Sequence, residues 1–201
     1  QLLGSLVEGL YIDDIFQDVT TYSGKKASAT HFMKVESPSV LHVSTHGDYL
    51  EDKKNIMEKG ILCLAGYNLD NRKEEYGKGY VSANDIQYMN LKNTDLVVLS
   101  ACNTAKGEVL PGEGVYGLRR AFELAGAKTL LITVEEINDH NAAIFMKNFY
   151  QRYHESRNAY QSFLETKTYL QNNQNALKEL EEYVNEFPED MKRKYTNTYQ
   201  Y

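Results

Sequence analysis

Two side chains able to do covalent chemistry follow two β-rich runs of the sequence. Val40-Leu41-His42-Val43-Ser44-Thr45 reads as a compact buried strand that ends at His46-Gly47. Asp95-Leu96-Val97-Val98-Leu99-Ser100-Ala101 is continuous and apolar, as a strand covered on both faces of a parallel sheet must be, and it ends at Cys102. In an open parallel sheet both residues face the crevice beyond the carboxyl ends of the strands, where such sheets bind ligands. A thiol attacks a carbonyl only as thiolate, so it needs a neighbouring base, and imidazole with an unperturbed pKa of about 6.5 is the usual one. His46 and Cys102 supply that pair. The tetrahedral intermediate then needs backbone N–H donors. The Gly47 amide and the amide of Cys102 itself are the candidates, because glycine lets a carbonyl approach the backbone closely.

Other reactive residues read differently. Cys63 lies inside the apolar run Ile61-Leu62-Cys63-Leu64-Ala65 with no basic neighbour in sequence, so it is expected to be a core thiol. His42 shares a strand face with Ser44 and His46 and is expected to support the site. A zinc site on His42 and His46 fails on distance: four residues of strand span about 13 Å, whereas two ligands with bonds of about 2 Å must converge. Gly112-Glu113-Gly114-Val115-Tyr116-Gly117 spells a dinucleotide-binding fingerprint, with Glu135 and Glu136 following. Its first glycine should follow a strand almost at once, yet it comes ten residues after Cys102 and carries an acid where pyrophosphate would lie. The glycines instead suit a mobile loop, Lys106 to Gly114, read as an activation element.

The elements that must position these residues follow from pattern. Ser5 with Glu8 spells a capping box, and Val7, Leu10, Tyr11, Ile15, Phe16 and Val19 predict a helix over residues 5 to 20. A short helix is predicted around Thr30 to Lys34, short strands at 61–65 and 79–81, and a further helix starting at Ser82 with Asp85. Asn68 to Lys78 is polar and reads as an exposed loop. After Cys102 come a glycine-rich loop, a helix from Gly114 to Ala125, Gly126, and a strand over Lys128 to Val134, which together make a βαβ unit. Helices are predicted over 142–153, 159–170 and 176–187. The fold class is therefore α/β, counted as one domain.

Composition removes several function classes. The chain has 201 residues, 42% apolar and 11% aromatic, which is enough for a real core. Its net charge is −6, and no basic cluster is dense enough to follow a phosphate backbone, so nucleic acid is not an expected partner. No apolar run approaches the roughly 20 residues of a spanning helix, and Gln1-Leu2-Leu3-Gly4 lacks a basic n-region, so neither a membrane nor secretion is expected. With two cysteines in unlike contexts, a reducing, cytoplasmic setting without a disulfide is the expectation. The start at Gln1 and the stop at Tyr201 read as a piece excised from a longer chain. Sixteen tyrosines have no account at this level.

The segments Leu41-His42-Val43-Ser44-Thr45-His46-Gly47, Leu96-Val97-Val98-Leu99-Ser100-Ala101-Cys102-Asn103-Thr104, Gly112-Glu113-Gly114-Val115-Tyr116-Gly117-Leu118-Arg119-Arg120-Ala121-Phe122 and Ala125-Gly126-Ala127 closely resemble the CHAT domain. That family consists of caspase-like cysteine peptidases related to separase and often fused to TPR repeats. The resemblance runs from about Gly4 to about Leu170. It implies a caspase-like three-layer fold, with a mostly parallel central sheet and helices on both faces, and a His–Cys dyad at His46 and Cys102. It also implies no metal or other cofactor, cleavage of a specific protein partner, and a regulatory region, TPR repeats among the forms it takes, elsewhere in the full-length chain or in a partner. The competing reading is a catalytically idle scaffold for protein–protein interaction.

Two departures stand out. Where relatives carry Leu-Trp after the strand ending near Val134, this chain has Val134-Glu135-Glu136-Ile137-Asn138-Asp139, with Glu135 in place of the tryptophan. Glu135, Glu136 and Asp139 are either solvated charges or the lining of a pocket that selects Lys or Arg before the scissile bond. The chain also begins after the family's usual first strand and stops before its last one, so residues 1–201 are expected to be a single CHAT peptidase domain truncated at both ends.

Overall fold

The computed structural model describes residues 3–69, 76–102, 113–133, 139–173, 175 and 178. In chain order the elements are α1 (Leu3–Ile15), α2 (Ala29–Phe32), β1 (Val40–Tyr49), α3 (Ile56–Lys59), β2 (Gly60–Cys63) and β3 (Tyr80–Ser82). There follow α4 (Ala83–Ile86), β4 (Leu96–Cys102), α5 (Glu113–Ala125), β5 (Leu130–Ile132), α6 (Asp139–Ser156) and α7 (Ala159–Asn172). They fall into two compact units. Tyr22–Glu136 holds the sheet, and Gln1–Thr21 with Ile137–Tyr201 forms the other.

The fold is mixed α/β around an open five-stranded sheet of order β3-β2-β1-β4-β5. β1 pairs in parallel with β4, and β4 with β5, while β2 runs antiparallel to both β1 and β3. Four of the five described strands therefore share one direction, as the α/β reading expects, and the arrangement is consistent with a caspase-like fold. One face of the sheet presents Val43, Leu62, Val81, Val97 and Leu99 to a core completed by Ile86 of α4 and by Leu118, Ala121, Phe122 and Ala125 of α5. The residues that alternate with these, Ile61, Leu96 and Val98, are also fully buried. Leu96 to Leu99 are thus all at 0% exposure, which is what the unbroken apolar run of β4 required.

α5 turns positions 118, 121, 122 and 125 inward, at the spacing of one helix face, and leaves Arg119 and Glu123 outside as an i,i+4 pair at 2.8 Å. It stops at Gly126, whose φ of +106° an L side chain rarely adopts. A Cβ there would also lie 3.0 Å from Lys92 Cα.

The second unit is helical. α6 stacks Phe145 on Phe149 and Phe149 on Tyr153 at i,i+4 spacing, with ring centroids 6.1 and 5.8 Å apart. Phe16 meets Tyr150 edge-on at 5.7 Å. Tyr11, Tyr150 and Tyr153 are buried in this unit, which accounts for part of the tyrosine excess.

Several elements depart from the sequence reading. α1 begins at Leu3 and ends at Ile15, so Ser5 lies inside the helix instead of capping it. The β-branched run Val19-Thr20-Thr21 disfavours helix, and the Thr21 hydroxyl reaches back to Asp13 at 3.2 Å. β1 continues to Tyr49, beyond its expected end at His46-Gly47, because β2 pairs with residues 46–49 and satisfies their backbone irrespective of side-chain polarity. α3 was not anticipated. The helix expected over 176–187 lies outside the described residues, apart from Lys178, as does most of the Lys106–Gly114 loop.

Candidate functional site

The register of β1 places His46 at a singular position. The parallel ladder with β4 runs from Val40 opposite Leu96 up to His46 opposite Cys102. The antiparallel ladder with β2 runs from His46 opposite Cys63 down to Tyr49 opposite Gly60. His46 is the one residue of β1 that has a register partner on both sides, and both partners are cysteines. Cys63 in turn pairs with Tyr80 of β3. Tyr80, Cys63, His46 and Cys102 thus form one row across four neighbouring strands, with about 4.8 Å between adjacent strands.

The two residues singled out from sequence are therefore brought onto adjacent strands at the same level. His46 is the only exposed residue of β1, and Gly47 beside it is buried. Cys102 is the last residue of β4. His42, four residues earlier in β1, is half-buried and pairs with Val98.

Cys63 has a different setting from the one expected. It is half-buried at the end of β2 and directly opposite His46, so it does have a basic neighbour once the chain folds. Its chemistry is nevertheless that of a quiet thiol. Burial and the negative charge of Asp48 push its pKa up to about 12, and the nearby Tyr67 side chain offsets only part of this. The row spacing also forbids a disulfide: Cys63 and Cys102 sit on opposite sides of β1, about 10 Å apart, and a disulfide closes only below about 7 Å between Cα atoms.

The β2 side of the row carries polar structure that sequence reasoning missed. Thr45 Oγ1 donates to the Cys63 carbonyl and ties β1 to β2 at this level. Asp48 accepts from its neighbour's amide, Tyr49 N–H, at 2.8 Å and from the Tyr67 hydroxyl at 2.6 Å. The Tyr67 and Tyr80 rings meet edge to face at 6.2 Å, and Lys78 Nζ rests 5.6 Å from the Tyr80 centroid. Beside them is a cleft of about 500 Å³ lined by Leu50, Asp52, Lys53, Tyr67, Asn68 and Tyr80. For Asp48 a signal existed: two residues after His46 on the same strand, it shares its face. For Tyr67 and Tyr80 there was none, since a loop and a distant strand bring them together.

Glu135 and Glu136 lie outside the described residues. Asp139 is the first residue of α6, in the other unit. Among the described residues no helix is long and apolar enough to cross a membrane.

Comparison with known families gives one match: the model of the CHAT domain covers residues 1–195, a span that takes in residues of both units. A search of the curated proteins found no match, and neither did a search of the solved structures.

Proposed function

The chain belongs to the CHAT-domain family of caspase-like cysteine peptidases, and on that premise we propose that it is a cysteine endopeptidase whose nucleophile is Cys102 and whose general base is His46. The observation that carries the reading is the register that sets His46 opposite Cys102 on neighbouring parallel strands. His46 takes the thiol proton, and the thiolate attacks the peptide carbonyl. The amides of Gly47 and Cys102 hold the oxyanion, and the imidazolium returns its proton to the departing amine as the C–N bond breaks. Water activated by the same imidazole then hydrolyses the thioester and frees the carboxylate product. Cys63 takes no part, since a thiol held near pKa 12 offers almost no thiolate at neutral pH.

The test compares Cys102→Ala, His46→Ala and Cys63→Ala with wild type on a protein or peptide library. Losing the nucleophile or its base is expected to cost about 10³-fold or more, whereas Cys63→Ala stays within a few-fold of wild type. Undiminished cleavage by Cys102→Ala sinks the proposal. Failure of every protein, wild type included, to cleave favours the idle scaffold instead.

A further inference from the structure

The cleft between the β1–α3 segment and the Tyr67–Tyr80 ring pair lies to one side of the proposed dyad, and that side has chemical meaning. In a peptidase the acyl half of the substrate stays on the nucleophile, here on β4. The leaving half departs with the proton that the imidazole supplies, here from β1. The chain on the leaving side therefore runs from His46 away from Cys102, across β2 toward β3. Tyr80, which lines the cleft, is two strands beyond His46 and three beyond Cys102, about 10 and 15 Å respectively. An extended peptide covers about 3.4 Å per residue, so the cleft meets the second to fourth residue after the scissile bond.

Resting on the peptidase reading above, we propose that this cleft is a leaving-side specificity pocket that takes a lysine or arginine side chain of the substrate. Its walls suit a cation. Two tyrosine rings line it, and tyrosines of this region already hold cations over their faces: Lys78 on Tyr80, and Lys59 on Tyr49 at 5.3 Å. Among the described residues the cleft wall carries Asp52 and Lys53, and beside it stand Asp48, hydrogen-bonded to the lining Tyr67, and Lys78, over the lining Tyr80 ring. Two carboxylates thus balance two ammonium groups, and a substrate cation enters by exchange with a lysine already there. Among the described residues Asp52 pairs with Lys53 at 3.5 Å, a loose, exposed pairing that an incoming guanidinium or ammonium can exchange for its own. The volume of about 500 Å³ is ample for one long side chain.

The experiment is cleavage-site mapping on a randomised peptide library by mass spectrometry, with the full chain, Asp52→Lys and Tyr67→Leu compared. Asp52 is 74% exposed, so Asp52→Lys leaves packing intact and reverses the charge at the mouth of the cleft. Wild type is expected to enrich Lys and Arg about five- to ten-fold at one of the second to fourth positions after the bond. Asp52→Lys is expected to abolish that enrichment or turn it toward Asp and Glu, and Tyr67→Leu to weaken it, while preferences before the bond stay as they were. Cys102-dependent cleavage with no cationic preference on the leaving side, or with one that Asp52→Lys leaves unchanged, overturns the pocket and spares the peptidase reading. Cleavage that does not depend on Cys102 overturns both.

Discussion

β1 has a cysteine on either side of it, and its two flanks are built from different materials. The β4 flank is parallel, seven residues long and apolar, with Leu96 to Leu99 fully buried, and α5 shares the core on one face. The β2–β3 flank is antiparallel, made of strands of four and three residues. It is held by the Thr45 and Tyr67 hydroxyls, by the Leu64 N–H to Gly79 carbonyl bond at 2.8 Å, and by the Lys78–Asp85 pair. Both flanks place a thiol at the same level as one imidazole. Register alone therefore does not make a nucleophile. On the polar flank burial, and then the carboxylate of Asp48, suppress the Cys63 thiolate, so a thiol at the level of the imidazole can still be a quiet one.

That contrast breaks most visibly in alkylation. A thiol is neutral when protonated, so burial and a nearby negative charge both raise its pKa, and Cys63, at about 12, lies well above an ordinary cysteine. Its thiolate fraction at neutral pH is lower by about 10³, and its iodoacetamide rate is expected to fall by a similar factor. In Cys102→Ala protein, where Cys63 is the one thiol left, the rate should keep rising with pH up to about 12 instead of levelling off near pH 9. Peptide mass spectrometry after timed exposure measures this. A Cys63 that reacts like free cysteine removes the electrostatic distinction between the flanks.

The apolar flank was legible in the sequence, and the polar one mostly was not. β4, α5 and the strand after it announce themselves through a continuous apolar run, a helical stripe and a terminating glycine, all of which are local. Cys102 at a strand end and His46 near one were therefore readable, and their pairing followed from parallel-sheet topology. The direction of β2, the extension of β1 through His46-Gly47-Asp48-Tyr49, and the position of Cys63 opposite His46 depend on an antiparallel register set by tertiary contact. No residue pattern within Ile61 to Ala65 encodes that contact, which is why Cys63 read as plain core. Ser82 with Asp85 is the exception on this flank. Its capping box is local chemistry, and it forms as the sequence predicted.

A smaller perturbation tests how far the polar flank depends on glycine. Gly79 has φ +73°, and a Cβ there would lie 2.6 Å from the backbone of Gly66 and Tyr67, closer than real contacts allow. Gly79→Ala is expected to cost about 2 kcal/mol or more, from the left-handed backbone penalty plus the displaced loop. Thermal denaturation should show the loss. Because Gly79 precedes Tyr80, the same variant should also blunt any leaving-side preference while α5 and β4 retain their hydrogen-exchange protection. Unchanged stability would mean that the two loops part without cost.

The smallest effect lies at the end of β3, where α4 begins. The Ser82 hydroxyl donates to Asp85 at 2.7 Å and accepts from the Asp85 amide at 3.3 Å, while Asp85 also accepts from the Ser82 amide at 2.9 Å and from Lys78. Burial opposes the charge on Asp85, but those donors outweigh it and hold the carboxyl below the usual carboxylate range. A folded-state pKa below the unfolded value means that stabilisation is present above about pH 4 and is lost as pH falls through the folded value. Ser82→Ala removes the cap and one of the donors, so urea denaturation near neutral pH should show a loss of about 1 kcal/mol. At acid pH, where Asp85 is protonated in both proteins, the gap should narrow, because the part of it that came from holding a carboxylate no longer exists. An equal gap at both pH values would assign the whole effect to the cap on α4 and none to the charge, and would leave the polar flank less dependent on electrostatics than the behaviour of Cys63 implies.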